Sequence, residues 1–452
     1  MKNIFLILSE WIFSSAQKRF VVGITVVALG IRLAIIIFAG NPQHPQLYEH
    51  GEIAHNLYTG HGFAMHWPYP PLDPARAAVQ KEPPQYQGAF MPPINPYQIY
   101  CAYLVFGESA TAITILMLLS AVYSSLAPIV VYSTAKLFSS ENASRSSALI
   151  AVFFLPAAFA VTTFSGSSLY QLVILLTLLL AVRSVLQPSY RHFILFGILA
   201  GVMTLLRSEF YAVGFILIAV AGVMAWRSDK IKITWKYAAA GVIMMTAITA
   251  PWSIRNYDLF GKFIPIVDHP WHEIWRGNNI YASGSTYDAS GNSVWENASQ
   301  YPAIIRALDS LPYDQQFDLR ADSIFHGEAI EFIKAHPAKF AELGAIKLFS
   351  LMTIDYHYAP TRNVLYLILM MMVILPSVFG AITLVRNSRQ SKDYRVAFVY
   401  GTFFFYYCGI IVITFILPRY QIYIFSAFLP LTGMGISSLR DKLRSAKKGQ
   451  AG

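Results

Sequence analysis

Residues 20–39 read FVVGITVVALGIRLAIIIFA, a run in which Arg32 carries the only charge. About 20 apolar residues form a helix that crosses the roughly 30 Å hydrocarbon core of a bilayer. Hydrophobic residues make up 55% of the chain and charged residues 13%, about half of the roughly 25% charged residues of soluble domains. Nine similar runs follow, at residues 111–135, 148–163, 169–185, 193–206, 210–226, 237–252, 364–385, 396–415 and 420–439. The sequence predicts an all-α polytopic membrane protein with about ten transmembrane helices, within a range of nine to twelve.

The distribution of charge predicts the orientation of these helices. With the N-terminus inside, 20 of the 34 Lys and Arg residues but only five of the 24 Asp and Glu residues fall on the cytoplasmic side. Short cytoplasmic loops retain Lys and Arg in this way. The net charge of +10 is therefore interpreted as a topology signal, and no nucleic-acid partner is predicted. Both termini are predicted to be cytoplasmic.

Two long polar segments, residues 40–95 and 255–339, fall on the outer face under this topology. We expect one transmembrane domain at residues 1–439, in which the first loop holds a catalytic acid and the second binds substrate, and a basic cytoplasmic tail at residues 440–452. Within the second loop, residues 315–334 are predicted to form a helix capped by Asp314. The apolar pieces at 96–108 and 340–352 are too short to span and are predicted to lie in the interface.

Arginines at membrane depth or at the outer ends of spans are costly and therefore informative. Arg32 lies inside the first span, where it either snorkels or pairs with a buried carboxylate. Arg207, Arg255 and Arg419 fall at outer helix ends, where the charge rule does not favour cations. A guanidinium matches phosphate oxygens, so these three could bind an anion. The alternative is that each makes a surface or lipid-headgroup contact.

Acids and histidines of the outer loops supply further candidates. Glu49 and Glu52 are three residues apart, so they share a face if the segment is helical. Either could act as a general base towards a hydroxyl group, and the alternative is a solvated or salt-bridged loop acid. His269 and His272 with Glu273 are zinc-ligand residue types, but their spacing fits no strong ligand signature. No metal site is predicted.

Several stretches along the chain resemble one family of membrane enzymes, the bacterial glycosyltransferases of the GT-C clan. This polyprenyl-phosphate-sugar-dependent group includes protein O-mannosyltransferase-like and aminoarabinose-transferase-like enzymes. The stretches are YEHGEIAHNL (48–57) with TGHGF (59–63), MPPINPY (91–97) with FG (106–107), GVMTLLR (201–207), PWSIRNY (251–257) with FG (260–261) and WRGNN (275–279), and PRY (418–420).

The resemblance implies a role for specific residues. It gives Glu49 as the counterpart of the family's catalytic carboxylate, with Glu52 in reserve, because the Asp-Glu opening of some relatives is absent here. Where relatives often show an acid after the third span, this chain has SSLYQ at 167–171. The implied sets are Arg207, Arg255 and Arg419 for the donor phosphate, and Arg276, Asn278, Asn279 and Tyr420 for substrate.

The predicted function is transfer of a sugar, with inversion, from a polyprenyl-phosphate carrier to a hydroxyl acceptor on the outer face of a bacterial cytoplasmic membrane. The acceptor is a lipid, a protein or a glycan. No cofactor is required because phosphate is already a competent leaving group, and a divalent metal is not expected. Two alternatives are a transporter or flippase of an anionic polyprenyl-linked lipid, and a polysaccharide polymerase or ligase.

Overall fold

The computed structural model describes residues 14–164, 166–229, 234–288, 290–293, 300–388 and 394–449. This part of the chain contains isolated β-bridges but no strand, so the predicted all-α class is confirmed. The helices are α1 (Ser15–Ala39), α2 (Tyr48–Tyr58), α3 (Pro74–Val79), α4 (Ile94–Phe106), α5 (Ala110–Ala135), α6 (Glu141–Val152), α7 (Leu155–Phe159), α8 (Ser167–Leu186), α9 (Tyr190–Leu206), α10 (Phe210–Asp229), α11 (Thr234–Phe260), α12 (Pro270–Arg276), α13 (Pro302–Asp309), α14 (Phe317–Ala335), α15 (Pro337–Met352), α16 (Val364–Ser388), α17 (Tyr394–Ile413) and α18 (Pro418–Gly449).

Eight of the described helices are long and apolar enough to cross a membrane: α1, α5, α8, α10, α11, α16, α17 and α18. The α6 and α7 pair forms a ninth candidate, bent by 47° at its break, and α9 is a shorter apolar helix. Every one of the ten predicted runs therefore falls on a helix or on this bent pair. The tail predicted at 440–452 continues α18 without a break to Gly449, and residues 450–452 lie outside the described ranges, as do the polar segments 230–233 and 389–393.

The span predicted at 148–163 falls on this bent pair, and its break was not predicted. Helix α6 ends at Val152, four residues before Pro156. Proline lacks an N–H group, and its ring clashes with the carbonyl four residues earlier, so a helix cannot continue through it unchanged. The freed Val152 carbonyl accepts a hydrogen bond from Nη1 of Arg32 at 2.9 Å.

Both predictions for Arg32 are wrong. Its side chain is fully buried, so it does not snorkel. Nε donates to Ser124 Oγ at 3.0 Å, and no carboxylate of the described residues pairs with the guanidinium. Since a buried guanidinium needs acceptors, we assign Arg32 a structural role, in which it binds the carbonyl that the break in the α6–α7 pair exposes.

Small residues let the helices of the bundle approach closely. A Cβ atom added at Gly197 of α9 would lie 2.1 Å from the Gly241 carbonyl of α11. One added at Gly380 of α16 would lie 2.1 Å from the Leu431 carbonyl of α18, and one at Gly433 would lie 1.8 Å from the Ala143 carbonyl. Such contacts are typical of membrane helices, which associate through close packing. The last two contacts hold α18 closely against α16 and α6.

The described residues within 40–109 and 261–363 cover one end of the bundle, which we call the loop face. Its core is an aromatic cluster that includes Trp67, Trp275 and Phe325. Helices α4 and α15 occupy the two short apolar pieces, and α14 occupies the helix predicted at 315–334. The predicted cap is wrong: Gln316 is the N-cap residue, and Asp314 instead accepts from the Gln316 backbone N–H in the preceding turn.

Candidate functional site

A cavity of about 300 Å³ lies where the loop face meets the bundle. Six widely separated segments supply its walls: the start of α2, residues 90–92, the α9–α10 junction, α12, the end of α17 and the start of α18. Of the residues predicted for the site, Glu49, Arg207, Arg276, Arg419 and Tyr420 line it. The fold therefore brings a carboxylate and three cations into one space.

Arg207 is paired within the chain. Its Nη2 lies 2.7 Å from Oε1 of Glu209, and its Nε donates to the same oxygen at 2.8 Å. The guanidinium carbon also lies 5.0 Å from the ring centroid of Tyr420 and 5.2 Å from that of Tyr423. Glu209 offsets the positive charge of Arg207. Arg207 therefore contributes mainly directed N–H donors to the cavity rather than net positive charge.

Arg419 is the less compensated cation. It is the second residue of α18, and its Nε is buried without a hydrogen-bond partner among the described residues. The guanidinium carbon lies 5.9 Å from the ring centroid of Tyr420. A guanidinium with a buried, unsatisfied N–H donor is expected to receive an anion.

Glu49 lies in the first turn of α2 and is half-buried in the cavity wall. No ion pair or side-chain hydrogen bond within the described residues engages its carboxylate. Glu49 is therefore free to accept a proton from a group in the cavity. The next residue, His50, is buried and also lines the cavity.

Helix α12 contributes a second cluster of charged residues to the cavity wall. Oε1 of Glu273 lies 3.4 Å from His272 Nδ1 and 3.9 Å from Arg276 Nη1. Burial alone would raise the pKa of Glu273, but the contact with His272 and the charge of Arg276 outweigh it and lower that pKa to about 2. Burial lowers the pKa of His272 to about 4. Glu273 is thus a poor base.

His269, His272 and Glu273 could hold a metal ion, since their ligand atoms lie within 4.8 Å of one another. Imidazole nitrogen and carboxylate oxygen are donors that zinc accepts. His269 Nδ1 already lies 3.1 Å from Asp268 Oδ1, an arrangement that orients a metal-binding histidine. The residue types therefore fit a divalent ion at the edge of the cavity, at three residues that the sequence analysis named without predicting a metal site.

Glu52 and Arg255 do not line the cavity. Oε1 of Glu52 accepts from the backbone N–H of His66 at 2.7 Å and lies 2.9 Å from His66 Nδ1. Arg255 donates to the Gly88 carbonyl at 2.6 Å and lies over the Trp252 ring at 4.5 Å. Glu52 therefore joins two parts of the loop face, and Arg255 joins α11 to the loop face.

The neighbours of Arg255 explain the PWSIRN stretch. Trp252 Nε1 donates to the Ile266 carbonyl at 2.8 Å, Ser253 Oγ to the Pro265 carbonyl at 2.8 Å, and Asn256 Nδ2 to the Ile264 carbonyl at 3.1 Å. One turn of α11 thus anchors the segment that leads to α12. The stretch positions the cavity wall rather than forming it.

The residues of the WRGNN stretch have two different roles: one lines the cavity, and two support the backbone near α12. Arg276 faces the cavity, whereas Asn278 Nδ2 donates to the Ile274 carbonyl at 2.7 Å and Asn279 Nδ2 to the Trp275 carbonyl at 3.0 Å. Asn278 Oδ1 accepts from the buried Lys347 at 2.8 Å. We therefore assign the two asparagines to the support of α12 rather than to substrate contact.

The family resemblance noted from the sequence is supported by a family model described as dolichyl-phosphate-mannose-protein mannosyltransferase, which matches residues 91–254. That range contains MPPINPY and GVMTLLR, two of the stretches on which the resemblance was based. No curated protein matches the chain in sequence.

The fold is similar to that of known GT-C enzymes. The oligosaccharyltransferase AglB from Archaeoglobus fulgidus, in complex with an inhibitory peptide and a dolichol-phosphate, matches with a TM-score of 0.52 at 12% identity, covering 97% of this chain and 52% of that one. The same organism's oligosaccharyltransferase in complex with Zn and sulfate matches with a TM-score of 0.51 at 12% identity, covering 93% and 49%. ArnT from Cupriavidus metallidurans, bound to undecaprenyl phosphate, has a TM-score of 0.40 at 13% identity, covering 92% and 78%. The chain spans about half the length of the archaeal proteins that it matches.

Proposed function

We propose that this chain is a membrane glycosyltransferase that transfers a sugar from a polyprenyl-phosphate carrier to a hydroxyl acceptor, with inversion at the anomeric carbon. The observation that carries the proposal is the cavity that brings Glu49, Arg207 and Arg419 together. These residues are far apart in sequence, yet they supply a free carboxylate and directed cationic donors. The GT-C fold and the family match at 91–254 support the same function.

In the proposed reaction, Glu49 takes the proton of the acceptor hydroxyl as its oxygen attacks the anomeric carbon. The bond between that carbon and the phosphate oxygen breaks, and the bonding electron pair leaves with the phosphate. Arg419 and Arg207 stabilise the charge on the departing lipid phosphate. Arg276 and Tyr420, which share the cavity, are positioned to contact the sugar. Phosphate is a competent leaving group, so no step is assigned to a metal.

We place the loop face on the outer side of a bacterial cytoplasmic membrane. The support is the excess of Lys and Arg in the segments at the opposite end of the bundle. The cavity lies between loop face and bundle, where a carrier's phosphate would sit near the headgroups and its isoprenoid chain would lie along apolar helices. Membrane lipids are thus the expected surroundings of the donor.

The test is transfer from a defined monosaccharide-lipid donor by the full chain in vesicles. Glu49→Gln removes basicity while nearly preserving size, so we expect the transfer rate to fall roughly 100- to 10,000-fold. Glu52→Gln is the matched control, because Glu52 lies on the same helix but outside the cavity. It should leave the rate close to that of the wild-type protein.

Collapse of the rate in Glu52→Gln with survival in Glu49→Gln would contradict the assignment of the base. Movement of the intact lipid across the vesicle membrane without transfer would support the flippase alternative. Transfer only from an oligosaccharide-lipid donor would support the polymerase or ligase alternative.

A further inference from the structure

The N-terminal end of α2 opens into the cavity without a side-chain cap. The N-cap residue Leu47 offers no side-chain acceptor to the first-turn N–H groups. Tyr48, the first helical residue, has φ of 53° and is the one non-glycine residue of the described chain with positive φ. The N-terminus of a helix attracts anions through its unpaired N–H groups and its dipole. By itself this end indicates only that an anion would be favoured.

His50, two residues further on, provides an independent sign of a ligand. Its side chain is 9% exposed, and Nδ1 is buried without a hydrogen-bond partner among the described residues. Buried polar atoms of native proteins nearly always have a partner, so an orphan such as this one calls for an explanation. Because His50 lines the cavity, a molecule bound there could supply the missing partner.

The charges around His50 decide which kind of group it would bind. Burial and the guanidinium groups of Arg419 and Arg207 lower the pKa of His50 to about 3, so the imidazole is neutral at physiological pH. A neutral imidazole has one N–H donor that can serve an anion without adding charge. Glu209 already offsets Arg207, which leaves Arg419 as the neighbouring cation for the same anion.

We propose that the carrier's phosphate binds at the N-terminal end of α2, where the neutral imidazole of His50 donates a hydrogen bond to a phosphate oxygen beside Arg419. The proposal rests on the proposed function and deepens it, since it gives the donor phosphate a protein ligand that the sequence did not predict. Glu49, on the same turn, then lies next to the bond that breaks. The arrangement explains both the orphan imidazole nitrogen and the uncapped helix end.

The test measures binding of farnesyl phosphate and of farnesol, which lacks the phosphate, to the full chain in lipid nanodiscs. His50→Met and His50→Gln introduce straight side chains of similar size, of which only Gln can donate. We expect His50→Met to weaken binding of farnesyl phosphate by roughly 10- to 150-fold, the range of a hydrogen bond to a charged group, and to leave farnesol unchanged. His50→Gln should retain most of the affinity, and His55→Met, an exposed position on the same helix, should match the wild-type protein.

Wild-type affinity for farnesyl phosphate in a folded His50→Met variant would overturn this proposal but leave the proposed function intact. Equal affinity of the wild-type protein for farnesyl phosphate and farnesol would overturn both. If His50→Met does not fold, the exchange rate of the His50 ring C2 hydrogen, followed by mass spectrometry in the wild-type protein, decides the question. Farnesyl phosphate should slow that exchange, and an unchanged rate would overturn the proposal.

Discussion

Arg419 and Arg255 have the same predicted role in the sequence but different surroundings in the structure, so substituting each in turn separates binding from stability. Arg419 lines the cavity with a buried, unpartnered Nε. Arg419→Ala removes a charge-assisted donor to the lipid phosphate, which contributes about 1.5 to 3 kcal/mol, or roughly 10- to 150-fold in affinity. Arg419→Lys should rescue only part of this loss because it keeps the charge but not the planar fork.

Arg255→Ala should give the opposite result. It removes the 2.6 Å hydrogen bond to the Gly88 carbonyl and the contact with the Trp252 ring at 4.5 Å. Loss of these contacts should lower the free energy of unfolding by about 1 to 3 kcal/mol. Affinity for farnesyl phosphate should stay at the wild-type value in the folded fraction.

The assay pairs binding of farnesyl phosphate in nanodiscs with thermal unfolding of the same samples. Arg419→Ala should change the affinity and Arg255→Ala the melting temperature. Wild-type affinity in Arg419→Ala, or an affinity loss in Arg255→Ala at an unchanged melting temperature, would refute the assignment of these two arginines.

Four further outcomes are expected. Gly277→Ala should uncouple α12 from α17 and abolish transfer, because its Cβ would lie 1.8 Å from the Thr414 carbonyl; wild-type activity would contradict the packing. Burial lowers the pKa of Lys347 from 10.5 to about 7, so between these pH values the unfolded chain binds more protons than the folded one. Thermal stability should therefore rise as the pH increases from about 7 to 10.5. Lys347→Met should reduce this dependence of stability on pH. Transfer should survive chelation by EDTA; a loss that Zn²⁺ restores in the wild-type protein but not in His272→Ala would place a metal in the reaction. In a cysteine-free background, a cysteine at Ser323 should react with an impermeant thiol reagent applied from outside, and labelling only after permeabilisation would reverse the topology.

The pattern of apolar residues was enough to predict the fold class and the approximate helix positions. Runs of about 20 apolar residues have one stable form in a bilayer, since only a helix satisfies every backbone group within the segment. The break in the third span was not predicted, because hydropathy averages over Pro156 and does not show the carbonyl that this proline frees at Val152. The partner of that carbonyl is Arg32, which lies 120 residues away in sequence.

The sequence also indicated which residue types an anion site would use, but not which residues share a space. Arg207, Arg255 and Arg419 look alike as cations at helix ends, and only the packing of α2, α9, α12 and α18 decides that two of them line the cavity. His50 was one outward-facing histidine among many in the sequence. Whether its Nδ1 is buried and unpartnered depends on the residues around it. Those residues come from segments hundreds of residues apart, and only tertiary packing brings them together, which no local pattern in the chain encodes.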